Sequence, residues 1–173
     1  YYDLTLNGTP ISSTELPSFR THPRRSRAAR TSVIFGGGAK YTPANERMWD
    51  TILARNPQAL LLLGDNVYID LPEQFGEFHK YTYYRRQSQP DFRRLVRSVP
   101  TYARWDDHDW AIGESWLRPY RDKPVWKMSL LEGFRTNWNK QAYGSEEWPG
   151  CWFKLSIADV DFFMLDGRFY RTN

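Results

Sequence analysis

The chain has 173 residues, 40% of them hydrophobic and 17% aromatic, with a net charge of +4 and a single cysteine. So many aromatics exclude a disordered chain and supply material for one ordinary core. No apolar run approaches the roughly 20 residues that span a bilayer. Cys151 alone excludes an internal disulfide or a thiolate cluster, which leaves oxygen and imidazole as metal ligands.

The opening Tyr1-Tyr2-Asp3, without a start Met or a basic leader, reads as a processed or cut start. Tyr1–Leu6 suits a strand, Asn7-Gly8 a hairpin turn, and Ser18–Thr21 a short return strand. Two strands do not make a domain. Residues 23–30, with Arg24, Arg25, Arg27 and Arg30, read as a basic linker, and the spacing after them changes. Thr31–Phe35 is expected to be a buried strand running into Gly36-Gly37-Gly38. Thr42 as N-cap and Pro43 at the first helical position open a helix. In it Met48, Trp49, Ile52 and Leu53 recur at helical spacing until Asn56-Pro57 stops it. Ala59–Leu63 is too short for a helix and is bounded by Gly64, so it reads as a second buried strand. Strand, helix, strand within about 30 residues is the spacing of a βαβ unit.

A second helix is expected near Pro90, with Phe92, Leu95 and Val96 inward, and after it the strand Thr101–Trp105. A further helix is expected around Leu130–Gln141. Trp152–Ile157 and Val160–Leu165 read as a hairpin about Ala158-Asp159. Arginine outnumbers lysine, and Arg85, Arg86, Arg93, Arg94 and Arg97 crowd one stretch. Such a cluster is either a solvated face or an attraction for anions, since guanidinium matches phosphate geometry. No helix-turn-helix, RNA-recognition or zinc-finger signature accompanies it, so no specific nucleic-acid binding is expected.

The chemistry gathers at the C-terminal end of each core strand. Leu60–Leu63 ends in Gly64-Asp65-Asn66-Val67-Tyr68, Thr101–Trp105 in Asp106-Asp107-His108-Asp109, and Val160–Leu165 in Asp166-Gly167-Arg168. Ligands gather at the carboxyl ends of strands in open α/β sheets, and carboxylates brought together there call for a cation. Taken singly, Gly64-Asp65 reads as a turn and Tyr68 as packing. Asp166 is as readily a partner of Arg168 or Arg171 as a ligand, and His22 and His79 have no acidic company. The loop 106–109 reads as functional, because Trp105 and Trp110 flank it. Asp, Asn, Tyr and His suit calcium, magnesium, manganese or ferric iron, and a phenolate such as Tyr68 points to ferric iron. Two metals would activate water and clamp an in-line phosphoryl displacement, with Arg168 or Arg171 neutralising phosphate oxygens.

These three segments, in this order, resemble the motif series of the PhoD-like alkaline phosphatases, within the calcineurin-like metallophosphoesterases. Their last segment continues as Leu165-Asp166-Gly167-Arg168-Phe169-Tyr170-Arg171. The resemblance implies an α/β fold, part of a four-layer αββα metallophosphoesterase sandwich over residues 31–173. Residues 1–22 would be the last strands of a preceding fibronectin-type-III-like β-sandwich. It implies a dinuclear or multinuclear metal centre, of calcium and/or ferric iron, that hydrolyses phosphate esters in a secreted or periplasmic protein. Asp65 would be a bridging metal ligand and Tyr68 an iron ligand. Asp107 would stand at a metal-binding asparagine position, and His108 would contact the phosphoryl or leaving group. Asp166 and Arg168 fall in the third motif as metal and catalytic residues, and Asn66 and Arg171 would bind substrate. Two departures stand out. Gly37-Gly38 occupies the place of a Ser-Cys pair whose cysteine ligates iron. The family also continues past this point with a late acidic/histidine motif, so the chain reads as truncated and as needing the remaining C-terminal half. The competing readings are a phospholipase-D-like or nucleotide-cleaving diesterase on the same scaffold, and a non-catalytic module. In the latter Trp116, Tyr120 and Trp126 would bind carbohydrate or protein and the acidic loops would hold calcium.

Overall fold

The computed structural model describes residues 5–10, 18–71, 75–111, 113–139 and 142–172. Asn7 and Gly8 both take positive φ, 51° and 80°, the backbone that a two-residue hairpin turn demands. They join β1 (Thr5–Leu6) to β2 (Thr9–Pro10), antiparallel and exposed throughout. The return strand expected at Ser18–Thr21 is not one: the tight turn closes the pairing at once, and residues 18–21 are irregular. Residues 1–4 and 11–17 lie outside the described residues. His22 Nε2 lies 2.8 Å from the Tyr102 hydroxyl, and the two rings stack at 5.9 Å.

Three short strands run parallel: β3 (Val33–Gly36), β4 (Ala59–Leu62) and β5 (Thr101–Ala103), with β4 in the middle. Phe35 lies beside Leu61, and Leu61 beside Tyr102. Every residue of β4 is buried, as a parallel strand covered on both faces must be. The pleat divides its side chains. Leu60 and Leu62 enter one core, while Ala59 and Leu61 enter another.

The first core is shared with four helices, α1 (Met48–Ala54), α2 (Glu77–Gln87), α3 (Pro90–Ser98) and α4 (Lys127–Asn137). Trp49, Tyr83, Phe92, Leu95, Leu130 and Phe134 meet Leu60 and Leu62 there. Each such side chain contributes about 1.5–3 kcal/mol by leaving water. The crossovers from β3 to β4 and from β4 to β5 step the same way across the sheet, and right-handed connections then put their helices on one face. The second core lies under the hairpin of β6 (Phe153–Ile157) and β7 (Val160–Met164). Phe153, Leu155 and Ile157 alternate inward with Lys154 and Ser156 outward or at the edge.

Several boundaries differ from expectation. The helix opening at Pro43 is two pieces, a 3-10 turn at Pro43–Asn45 and then α1. The helix expected from Leu130 starts at Lys127 and ends at Asn137, while its expected end, Gln141, lies outside the described residues. α2 was not expected at all. Its inward face is His79, Thr82, Tyr83 and Arg86, helical spacing carried by polar and aromatic residues instead of aliphatic ones.

Candidate metal centre

Because β3, β4 and β5 point the same way, their exits gather on one edge. Gly64 makes the closest approach there. Its φ is +113°, and a Cβ on it would fall 2.5 Å from Asp106 Cβ, so the exits of β4 and β5 touch only because residue 64 has no side chain. The exit of β3 docks on the same point: Gly38 N donates to Gly64 O at 3.2 Å and Ala39 N to Asp65 O at 3.1 Å. Asp65, at φ 52°, is thus held between three loops.

Asp109 sews the second loop to the first. One of its carboxylate oxygens accepts from the backbone N–H of Asn66 and Val67 at 2.9 and 3.2 Å. The other accepts from Asp106 N at 2.8 Å and the Asn66 amide at 3.3 Å. Burial pushes its pKa up to about 7, against those donors. Trp105 and Trp110, both buried, anchor the loop on either side, and residues 107–109 form a 3-10 turn between them.

That turn brings Asp107 and His108 to Asp65. One potential ligand atom from each of the three lies within 4.8 Å of the others. The Oδ1 of Asp65 is buried with no hydrogen-bond partner among the described residues. Burial raises the Asp65 pKa, and the carboxylates of Asp106 and Asp107 raise it further. An orphaned carboxylate oxygen among like charges is what a cation resolves, so these residues fit a metal. His108 Nδ1 lies 2.5 Å from Asp70 Oδ1, which leaves Nε2 as the ring nitrogen able to ligate or to carry a proton. Burial alone would lower the His108 pKa, but the bond to Asp70, with the charges of Asp70, Asp65 and Asp107, leaves it raised. The Tyr68 ring stacks on the His108 imidazole at 4.5 Å. Burial and then Asp65, Asp109 and Asp70 raise the Tyr68 phenol, which keeps its proton in the metal-free chain.

The other expected site residues take different positions. Arg168, 7% exposed, faces inward. Its Nε donates to Asp106, Nη1 to the Ser115 carbonyl at 3.0 Å, and Nη2 lies 3.4 Å from Asp107. Asp166 stands apart from the group of three. Its oxygens accept from Trp105 Nε1 (3.0 Å), Arg168 N (2.9 Å), Phe169 N (2.9 Å) and Cys151 N (2.7 Å). Asn66 is buried, and its amide also donates to the Arg104 carbonyl at 2.9 Å. Arg171 lies 3.5 Å from Glu114. Gly38 has only the Tyr68 hydroxyl within reach of a Cβ, at 3.9 Å, while Cys151 is buried in the helix-side core. Sequence reading passed over Asp70, Asp106 and Glu114 as site residues. Glu114 donates its backbone N–H to Asp107. Asp70 lies two residues after Tyr68 and Asp106 sits inside a motif already noted, but their partners are remote in sequence.

No family model and no curated protein matches the sequence. A solved structure, "Structure of PhoD", superposes with a TM-score of 0.71 at 13% identity, over 90% of this chain and 35% of that one. The PhoD-like fold that the motif series implies is therefore present, and the chain spans 35% of the length of that protein.

Proposed function

We propose that the chain carries part of a metal-dependent phosphoesterase centre, at which phosphate esters are hydrolysed. The observation that carries this reading is the group of Asp65, Asp107 and His108, together with a buried Asp65 Oδ1 that has no hydrogen-bond partner among the described residues, on the strand exits of a PhoD-like fold. Asp65, Asp107 and the His108 Nε2 would hold the cation. Two carboxylates and an imidazole suit calcium, magnesium, manganese or ferric iron, with Tyr68 as an added ligand for iron. A metal bound there would lower the pKa of water and neutralise phosphoryl oxygens.

The chain's own residues supply the rest. His108, held at Nδ1 by Asp70, keeps Nε2 free for the cation. Arg168 fixes Asp106 and Asp107, and Arg171 stands at the rim near Glu114. Asp166 organises the loop that delivers Arg168 and Phe169. The remaining half of the protein would add the late ligands and the fourth layer of the sandwich, and residues 1–22 would close a fibronectin-type-III-like domain. The carbohydrate-binding alternative draws no support from Trp126, which packs against the helix-side core beside Trp110.

The test is elemental analysis of the purified protein together with paired phosphomonoester and phosphodiester assays, before and after chelation. Bound metal with chelator-sensitive hydrolysis is expected, and the two assays separate monoesterase from diesterase. Metal without hydrolysis of either ester, even with the downstream polypeptide supplied, would favour a calcium-binding module and overturn the enzyme reading.

A further inference from the structure

An anionic ester approaching Asp65 and Asp107 meets a surplus of negative charge, for Asp70, Asp106 and Glu114 stand around them. The cations nearby are unequal. Arg168 is turned inward and engaged by Asp106, Asp107, Glu114 and the Ser115 carbonyl. Arg171 is drawn toward Glu114. Lys40 differs from both. It is exposed and has no ion pair among the described residues. Its Nζ stands 5.5 Å from the centre of the Tyr68 ring, the same ring that carries His108 at 4.5 Å.

The loop beneath Lys40 is fastened from two sides. Ala39 N donates to the Asp65 carbonyl at 3.1 Å, and Lys40 N to the Gly38 carbonyl at 3.0 Å. From behind, Arg86 Nη2 donates to the Ala39 carbonyl at 2.5 Å, while its Nη1 pairs with the buried Glu46 at 2.7 Å. The backbone of Lys40 is thereby pinned to the loop that bears Asp65, and its ammonium remains able to reach a ligand over Tyr68.

We propose that Lys40 receives the phosphate of the ester and sets a preference for dianionic phosphomonoesters over monoanionic diesters. The inference rests on the phosphoesterase reading of the centre and adds its substrate class. The physical basis is charge: an ammonium gains about twice as much from a dianion as from a monoanion at the same distance.

The test is equilibrium binding of inorganic phosphate and of dimethyl phosphate to the manganese-loaded chain, at mildly alkaline pH where the first is chiefly a dianion. The wild type is expected to bind phosphate more tightly than dimethyl phosphate. Lys40→Met should weaken phosphate about tenfold and dimethyl phosphate only about threefold, with manganese affinity unchanged, and Lys40→Arg should restore most of the loss. Equal phosphate affinity in Lys40→Met and wild type, or equal losses for the two ligands, overturns the role of Lys40 while leaving the metal centre standing. Failure of the wild type to bind manganese, calcium, magnesium or ferric iron sinks the phosphoesterase reading, and this inference with it.

Discussion

At the scale of single residues, Asp65 concentrates the conflict that defines the centre. Its carboxylate is partly desolvated, flanked by Asp106 and Asp107, and has one oxygen without a partner among the described residues. The residue also sits at φ 52°, a conformation that Asp and Asn tolerate better than other side chains. Asp65→Asn therefore keeps the backbone and the shape while removing the charge. Manganese affinity should fall by at least about a hundredfold. The metal-free variant should be no less stable than wild type, and up to about 1 kcal/mol more stable, because a like-charge repulsion is gone. Calorimetric titration and denaturant unfolding read these two effects separately. A stable variant that still binds manganese as wild type does would remove Asp65 from the ligand set.

At the scale of elements, α4 begins with a buried cation. Lys127 is fully enclosed. Its Nζ donates to the carbonyls of Arg118 (3.0 Å) and Tyr120, and lies 3.9 Å from the centre of the Phe169 ring. It clamps the irregular stretch before α4 to the segment after β7, the same segment that carries Arg168. Burial lowers its pKa from 10.5 to about 8, against the attraction of Asp166 and Asp122. Linkage sets the sign. Below about pH 8 both folded and unfolded chains hold the proton, and the desolvation penalty is present in full. Between about 8 and 10.5 the unfolded chain holds a proton that the folded chain has released, so stability from this group rises with pH. The stability of wild type relative to Lys127→Met should therefore increase across that window, as read from unfolding curves at successive pH values. A difference that stays flat would show that Lys127 is not perturbed.

At the scale of the whole molecule, large apolar side chains stay exposed on β3 and on the outer face of the β6–β7 hairpin. Phe35 on β3, Phe163 on β7 and Leu165 after it are 69%, 66% and 72% exposed. Exposed large apolar side chains near a strand edge mark a contact surface or an association hazard. The proposed remainder of the sandwich would pack here, on the hairpin side of the sheet. Phe163→Lys combined with Leu165→Glu should reduce self-association of the 173-residue chain, measured by light scattering, without changing its circular dichroism. In a longer polypeptide that includes the downstream region, the same pair should destabilise the fold instead. Indifference in both settings would mean that this face packs against nothing.

The local code was legible wherever a single periodicity ruled. The apolar run of β4, the Asn-Gly turn, the Pro90 start of α3 and the β6–β7 hairpin all arise from the order of residues, because strand, turn and helix signals act over a few positions. The motif series carried the fold class, and two of its segments hold Asp65, Asp107 and His108, which lie together in the structure. α2 escaped because its buried face is polar and aromatic, and such residues do not declare which side is inside. The orientation of the site also lay beyond reach. Asp70 holds His108 across 38 residues, Trp105 donates to Asp166 across 61, and Arg168 reaches Asp106 across 62. Whether a carboxylate becomes a ligand, a brace or a turn depends on which donors arrive from remote strands. Only the packed sheet, with Gly64 letting two strand exits touch, decides that.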